Sequence, residues 1–178
     1  MSKVGISDIG IYIPKNRITM EEVIKNKKAM ADDQIVRLKR AVVTTGQEAI
    51  RFPDKWEDTA TLGAEAARDL LSRGSREKLP KLRYLAVGTE TTVDHSKPIA
   101  AYIQGMLEKA GTPIPHSLTT FQVQHACAGA TLSMLSVASL ISSSPIKDES
   151  GLVIASDISH YERDTTAEIT QGAGAAAL

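Results

Sequence analysis

The residue with the most chemistry to offer is Cys127, the single cysteine of the chain, set in the segment His125-Ala126-Cys127-Ala128-Gly129. A strand-like run ends just before it, and a long run of small and apolar residues begins just after it, so the cysteine falls at a strand-to-helix junction. The free N–H groups and the dipole at a helix start favour a thiolate and can steady an oxyanion formed when sulfur attacks a thioester carbonyl. Small neighbours leave room for a substrate. Against this stands the common use of a free cysteine as a small buried hydrophobe. Glu90, in the turn TETTVD after the apolar run YLAVG, is the second candidate. Sites in doubly wound sheets lie beyond the carboxyl ends of strands, where an acid can serve as general acid or base. A solvated loop carboxylate or a helix cap is the alternative, and Asp94 suits capping better. Asp157 follows LVIAS in the same manner, with a structural hydrogen bond as its simpler use.

The other polar residues point to less. His95, His116, His125 and His160 are scattered, and with one cysteine they give no metal-binding spacing. His125 lies two residues before Cys127, but the base of a Cys–His pair normally comes from elsewhere in a fold, so packing or hydrogen bonding is its expected use. Gly172 and Gly174 match no phosphate-binding fingerprint and are expected to serve close backbone packing. Lys25, Lys27, Lys28, Arg37, Lys39 and Arg40 form either a solvated basic face or a contact for the phosphates of an anionic substrate.

The elements that must position these residues follow from periodicity. Val4, Ile6, Ile9, Ile11 and Ile13 nearly alternate before Pro14, predicting a strand. Residues 19–44 are irregularly helical, with Thr19 as N-cap and Glu21 and Glu22 in the first turn, and Gly46-Gln47 turns the chain. Residues 57–71 carry Ala60, Ala64, Ala67 and Leu71 at helical spacing and read as a core-facing helix. Residues 84–88 lack alternation, as in a strand covered on both faces. A helix over 96–110 has Ser96 as cap, Pro98 in its first turn and Gly111 after its end. A strand over 118–124 puts Phe121 and Val123 on one face and leads into the Cys127 segment, which is small or apolar on every side to about residue 142 and reads as a buried central helix. Strands at 152–156 and 172–178 complete an alternation of strand and helix that predicts an α/β layered fold with a largely parallel sheet.

Length and composition bound the function. The chain has 178 residues, 42% hydrophobic and 24% charged, enough for one core of ordinary size. Its 21 basic and 21 acidic residues cancel, which gives no electrostatic case for nucleic acid. Aromatic residues are only 4%, so small aliphatic side chains must fill the interior. No secretory signal and no run of about 18 apolar residues is expected, so no membrane contact is predicted. A lone cysteine excludes an intramolecular disulfide and makes the cytoplasm the expected compartment.

Several segments, in order, resemble the amino-terminal half of hydroxymethylglutaryl-CoA synthases, members of the thiolase-like superfamily: VGTETTVD at 87–94, QHACAGAT at 124–131, ASDISHY at 155–161, TQGAGAAAL at 170–178, and the Gly46-Gln47 turn. The resemblance implies a thiolase-like layered αβα half-fold over residues 1–178, with a mixed, largely parallel sheet around the buried small-residue helix and the carboxy-terminal half absent. It implies an acyltransferase of the mevalonate route to isoprenoids. Cys127 would take an acetyl group from acetyl-CoA, Glu90 would deprotonate the acetyl methyl for attack on acetoacetyl-CoA, and water would release the product. Thr131, Asp157, Tyr161 and Gly129 would be supporting or substrate-binding residues, with neither metal nor cofactor. Partners would be CoA thioesters or an acyl carrier protein, and either a homodimer or an assembly with a chain carrying the second half. Ketoacyl carrier-protein synthases III and β-branching synthases of polyketide pathways share the nucleophile. Glu90, and Gln34 where the ketoacyl synthases tend to place a tryptophan, point away from the former. Ala128 replaces an aromatic residue found after the nucleophile in some family members. A non-catalytic half-fold that pairs with another chain is the remaining alternative.

Overall fold

The computed structural model describes residues 4–27, 30–73 and 79–178. Lys28 of the predicted basic face lies outside them. The chain begins with strands β1 (Gly10–Tyr12) and β2 (Asn16–Thr19), then helices α1 (Met20–Lys25) and α2 (Asp32–Thr45) and strand β3 (Ala49–Phe52). Helix α3 (Thr59–Arg73), β4 (Leu82–Thr89), α4 (Ile99–Lys109), β5 (Thr119–Gln124), α5 (Gly129–Ser143), β6 (Ser150–Ser159) and β7 (Gly172–Ala177) follow. Five strands form the central sheet in the order β1-β7-β6-β4-β5, while β2 and β3 make a separate hairpin-like pair. β4 runs parallel to both β5 and β6, and β7 is antiparallel to β6 and to β1, so four of the five strands share one direction.

Alternation along the strands sorts the two faces. Leu85 and Val87 of β4 and Leu152 and Ile154 of β6 face α3 and α4, joining Leu62, Ala66, Ile99, Ile103 and Leu107 in the main core. Ala86 and Val153 point the other way, onto Val137 of α5. A second core holds α1, α2 and β3 together through Met20, Val23, Leu38 and Ile50, and Ile169 plugs into it from the segment before β7.

Helix ends follow the sequence closely in places. Thr19 caps α1 in a reciprocal capping box with Glu22, as expected. Gly46 ends α2 in the left-handed region at φ 69°. The predicted helical stretch over 19–44 is two helices rather than one. Ser96 is not the cap of α4: Pro98 occupies that position, and the Gln122 side chain reaches from β5 to accept the Ile99 N–H at 2.8 Å.

Three further expectations change. The first strand spans only three residues, and Ile9, Ile11 and Ile13 stay about half exposed. Gly10 is the residue that faces α3, where the helix backbone approaches too closely for any side chain, so the isoleucines point to the face that α5 does not cover at this edge. Helix α5 is not buried. It lays Gly129, Ser133 and Val137 on the sheet, one residue per turn, and leaves Leu132, Met134, Leu135 and Leu140 between 37% and 62% exposed. Composition told that both sides suit an apolar environment; in this chain only one side is covered. Contrary to the expectation of no such stretch, the helical segment Ala126–Ser143 is long and apolar enough to cross a membrane. Its contacts with the sheet make it a layer of the α/β fold.

Candidate active site

The site forms at the carboxyl ends of the three parallel strands, where β4 and β5 each run into a turn and β6 extends past them. Gly88 pairs with Val123 of β5 and with Ala155 of β6, so β4 and β5 end level with each other while β6 continues to Ser159. Helix α5 starts directly against this edge. A Cβ on Gly88 would overlap the backbone of Gly129 and Ala130, and one on Gly129 would come 2.8 Å from the Val123 carbonyl oxygen and 2.9 Å from the Thr89 nitrogen. Two glycines thus let a helix start touch a strand end, and this contact sets the turn that carries Cys127 beside the turn that carries Glu90.

Cys127 lies in a 3-10 turn, Ala126–Ala128, immediately before α5, and it is free and exposed rather than buried as a small hydrophobe. The residue before it, Ala126, is held at φ 32°, a region costly for a side-chain-bearing residue. Flanking hydrogen bonds maintain it: His125 N–H donates to the Thr89 carbonyl at 3.2 Å, and Ala128 N–H to the His125 carbonyl at 2.9 Å. Backbone contacts of His125 are therefore what the structure uses. The strain presents the cysteine at the surface, in the turn that leads into a 15-residue helix.

Glu90 is held from β6. One oxygen of Asp157, Oδ1, accepts four hydrogen bonds: from Thr89 Oγ1 at 2.7 Å, Glu90 N–H at 2.7 Å, Thr91 N–H at 3.1 Å and Thr91 Oγ1 at 2.9 Å. The expected structural hydrogen bond of Asp157 is thus a fourfold anchor of the Glu90 turn. The Glu90 carboxylate accepts from Ser159 Oγ at 2.5 Å and from the Tyr161 hydroxyl at 3.1 Å. That bond to Glu90, followed by burial and the charge of Glu90, lifts the Tyr161 phenol above its ordinary range, against a smaller lowering by its hydrogen bond with Ser159. Tyr161 therefore stands at Glu90, and the Cys127 turn meets the Glu90 turn through the His125 N–H on the Thr89 carbonyl.

Of the residues singled out in the sequence, Glu90, Asp157, Tyr161 and Cys127 are brought together. Gly129 serves the close approach just described. Thr131 is exposed on the first turn of α5, and no side-chain hydrogen bond ties it to the others among the described residues. Sequence reasoning missed Ser159 and the threonines beside Glu90. Thr59 Oγ1 donates to the Thr91 carbonyl at 2.7 Å, and Ser156 Oγ to the Thr59 carbonyl at 2.6 Å, which ties α3 to the turn. A signal was present: Asp157, Ser159 and Tyr161 are spaced by two, one face of an extended chain.

Asp94 does not cap α4, whose N-cap is Pro98; it closes the turn that precedes the helix. It accepts the N–H groups of Ser96 and Lys97 at 2.7 and 3.0 Å and the Tyr102 hydroxyl at 2.7 Å, and these bonds hold its carboxyl down at about 2. Gly172 and Gly174 are not forced by space, because an added Cβ would sit 3.8 and 3.6 Å from the nearest backbone atom. Lys27 departs from the solvated basic face: its side chain is 11% exposed and pairs with Asp164 at 2.8 Å and Glu168 at 2.5 Å. Burial works to lower the Lys27 ammonium, but the two carboxylates more than reverse this and raise it. Arg37 remains exposed beside Asp33. Among the described residues, no group of three or more His, Cys, Asp or Glu side chains is placed to hold a metal.

Comparison with known proteins bears directly on this arrangement. The family model described as hydroxymethylglutaryl-coenzyme A synthase, N terminal, matches residues 1–178. The chain belongs to the hydroxymethylglutaryl-CoA synthase family. It is 35% identical over its full length to the hydroxymethylglutaryl-CoA synthase of Haloferax volcanii, of which it covers 38%. Over 99% of the chain it is 31% identical to that of Methanocella arvoryzae, of which it covers 46%. The chain thus spans less than half the length of these relatives and corresponds to their amino-terminal half. Among solved structures, MvaS in complex with 3-hydroxy-3-methylglutaryl coenzyme A superposes with a TM-score of 0.79 at 30% identity, over 98% of this chain and 38% of that one. The curacin pathway HMG synthase bound to holo donor-ACP gives 0.81 at 23% identity, over 98% of this chain and 40% of that one, and shares the fold. The layered α/β architecture expected from the synthase resemblance is therefore the one observed.

Proposed function

We propose that the chain is the amino-terminal half of an acyltransferase of the hydroxymethylglutaryl-CoA synthase type. The Cys127 thiolate attacks the carbonyl of acetyl-CoA, the CoA thiol leaves with the proton, and an acetyl thioester remains on the enzyme. On this reading the positive end of α5 stabilises the charge that gathers on the carbonyl oxygen of that thioester. Glu90 then removes a methyl proton, and the electron pair left on carbon forms the new bond to the ketone carbon of acetoacetyl-CoA, whose oxygen takes up a proton. Water adds to the thioester, the carbon–sulfur bond breaks, and the thiol is regenerated. The balance is one water consumed and one CoA released per hydroxymethylglutaryl-CoA.

The observation that carries this reading is the contact between the two turns, with the His125 N–H on the Thr89 carbonyl and Gly129 against the Thr89 nitrogen, because it sets the turn of an exposed thiol against the turn of the Glu90 carboxylate. Asp157 acts by fixing the Glu90 backbone, and Thr131 lies one turn from the nucleophile on the open side of α5. The name of the MvaS complex, with hydroxymethylglutaryl-CoA bound, supports CoA thioesters as substrates. The chicken relative, 29% identical and named cytoplasmic, supports that compartment. The uncovered side of α5 and the coverage of under half of the relatives support completion of the site by the second half, and assembly as a dimer or with a separate chain.

Incubation of the protein, in the assembly in which it purifies, with labelled acetyl-CoA and digestion of the product tests the reading. Label on the peptide holding Cys127, absent from a Cys127→Ala variant, is expected. An unlabelled protein would favour a non-catalytic subunit, and transfer to a carrier-bound acceptor in preference to acetoacetyl-CoA would favour a β-branching synthase.

A further inference from the structure

Two donors converge on a single oxygen of Glu90. Ser159 Oγ at 2.5 Å and the Tyr161 hydroxyl at 3.1 Å both reach Oε1. Among the described residues no hydrogen bond is formed to Oε2. A carboxylate is planar and offers lone pairs on both oxygens, so two donors on one of them fix the plane and leave the other to meet a substrate. The geometry points to Ser159 as a positioning residue that selects Oε2 of Glu90 as the oxygen that takes the proton. This rests on the acid/base role proposed for Glu90.

Ser159 is better placed for the task than Tyr161. Its bond is the shorter and has the length of a charge-assisted hydroxyl–carboxylate contact. It is the last residue of β6, still paired in register with Gly172 of β7, whereas Tyr161 is 38% exposed beyond the strand end. Its neighbour Ile158 donates its N–H to Thr91 Oγ1 at 2.9 Å, and Thr91 Oγ1 in turn donates to Asp157. The backbone on one side of Ser159 and the turn that carries Glu90 are thus one hydrogen-bonded unit, and a single rotamer of a short side chain completes the alignment. In the reaction a proton passes from the acetyl methyl to Oε2, and the C–H electron pair goes to the new C–C bond. As the carboxylate becomes neutral the Ser159 bond weakens, so the serine contributes aim rather than basicity.

Ser159→Ala and Ser159→Thr variants of the protein in its purified assembly test this, with three readouts: acetylation of Cys127 by labelled acetyl-CoA, kcat and KM for condensation, and loss of deuterium to water from the enzyme loaded with trideuterated acetyl-CoA. For Ser159→Ala we expect unchanged acetylation, kcat and deuterium loss both reduced by about 10- to 100-fold, and KM for acetoacetyl-CoA within about twofold. Ser159→Thr, which keeps the hydroxyl, should return within about threefold of the parent. The inference is overturned if Ser159→Ala condenses at the parent rate, if its acetylation falls with its condensation, or if threonine does not rescue. A Glu90→Ala variant separates this from the underlying reading. If Glu90→Ala condenses normally, or the parent does not condense at all, both fall; if Glu90→Ala is inactive and Ser159→Ala is normal, only the role of Ser159 falls.

Discussion

Replacing Asp157 tests how the site is held. Its Oδ1 atom gathers two backbone N–H groups and two hydroxyls from residues 89–91, and Thr89 is fully buried. In Asp157→Ala the Thr91 hydroxyl can turn to Thr59 Oγ1, which lies 3.2 Å away, and the Thr91 N–H keeps Thr89 Oγ1 at 3.0 Å, but the Glu90 N–H and the Thr89 hydroxyl have no other acceptor among the described residues. Each unsatisfied donor costs about 1–3 kcal/mol, which puts the net loss at about 3–5 kcal/mol. That is a large part of the roughly 5–15 kcal/mol of a typical domain. Asp157→Asn keeps an oxygen in place and loses only the charge, for about 1–2 kcal/mol. Urea unfolding followed by circular dichroism should therefore show a midpoint for the alanine variant well below that of the asparagine variant, with equal slopes. Because the Glu90 backbone would be released, condensation by the alanine variant should fall by about 100-fold or more, the effect of a displacement near 1 Å. Equal stability of the two variants, or condensation by Asp157→Ala at the parent rate, would refute the fourfold anchor.

Gly88→Ala should drive α5 off the end of β4, because the new Cβ overlaps the backbone of Gly129 and Ala130; a loss of at least about 3 kcal/mol, read as reduced soluble yield and urea midpoint, is expected. Lys27→Met leaves Glu168, about 10% exposed, without its cation, and should cost about 2–4 kcal/mol by the same unfolding assay. Since Lys27 is raised in the folded protein, its contribution is complete below the ordinary lysine range and fades as pH rises through and above that range, so the difference between parent and variant should shrink in strong alkali.

Much of the site could be read from residue types. Cys127, Glu90 and Asp157 are polar residues at the ends of apolar strands, and the strands themselves were marked by runs such as YLAVG and LVIAS. Period-two spacing through Asp157, Ser159 and Tyr161 also lay in the sequence, yet a serine in a strand carries no distinguishing chemistry until a carboxylate is seen 2.5 Å away. What composition could not convey is which surfaces meet. The apolar residues of α5 specify two covered sides without saying where the second cover comes from. The alternating isoleucines near the start predict a strand but not that its glycine and tyrosine, rather than its isoleucines, would face the helix layer. By local sequence Lys27 belongs to a basic face, because its partners, Asp164 and Glu168, lie some 140 residues away. Such long-range ion pairing leaves no local pattern.

The central claim, that Cys127 carries the acyl group while Glu90 moves the proton, is tested most directly by a single-turnover chase. Parent and Glu90→Ala proteins are loaded with labelled acetyl-CoA, freed of excess and mixed with acetoacetyl-CoA. The account predicts label on Cys127 in both proteins and its passage into hydroxymethylglutaryl-CoA only in the parent; passage at the parent rate from Glu90→Ala, or label at a residue other than Cys127, would contradict it.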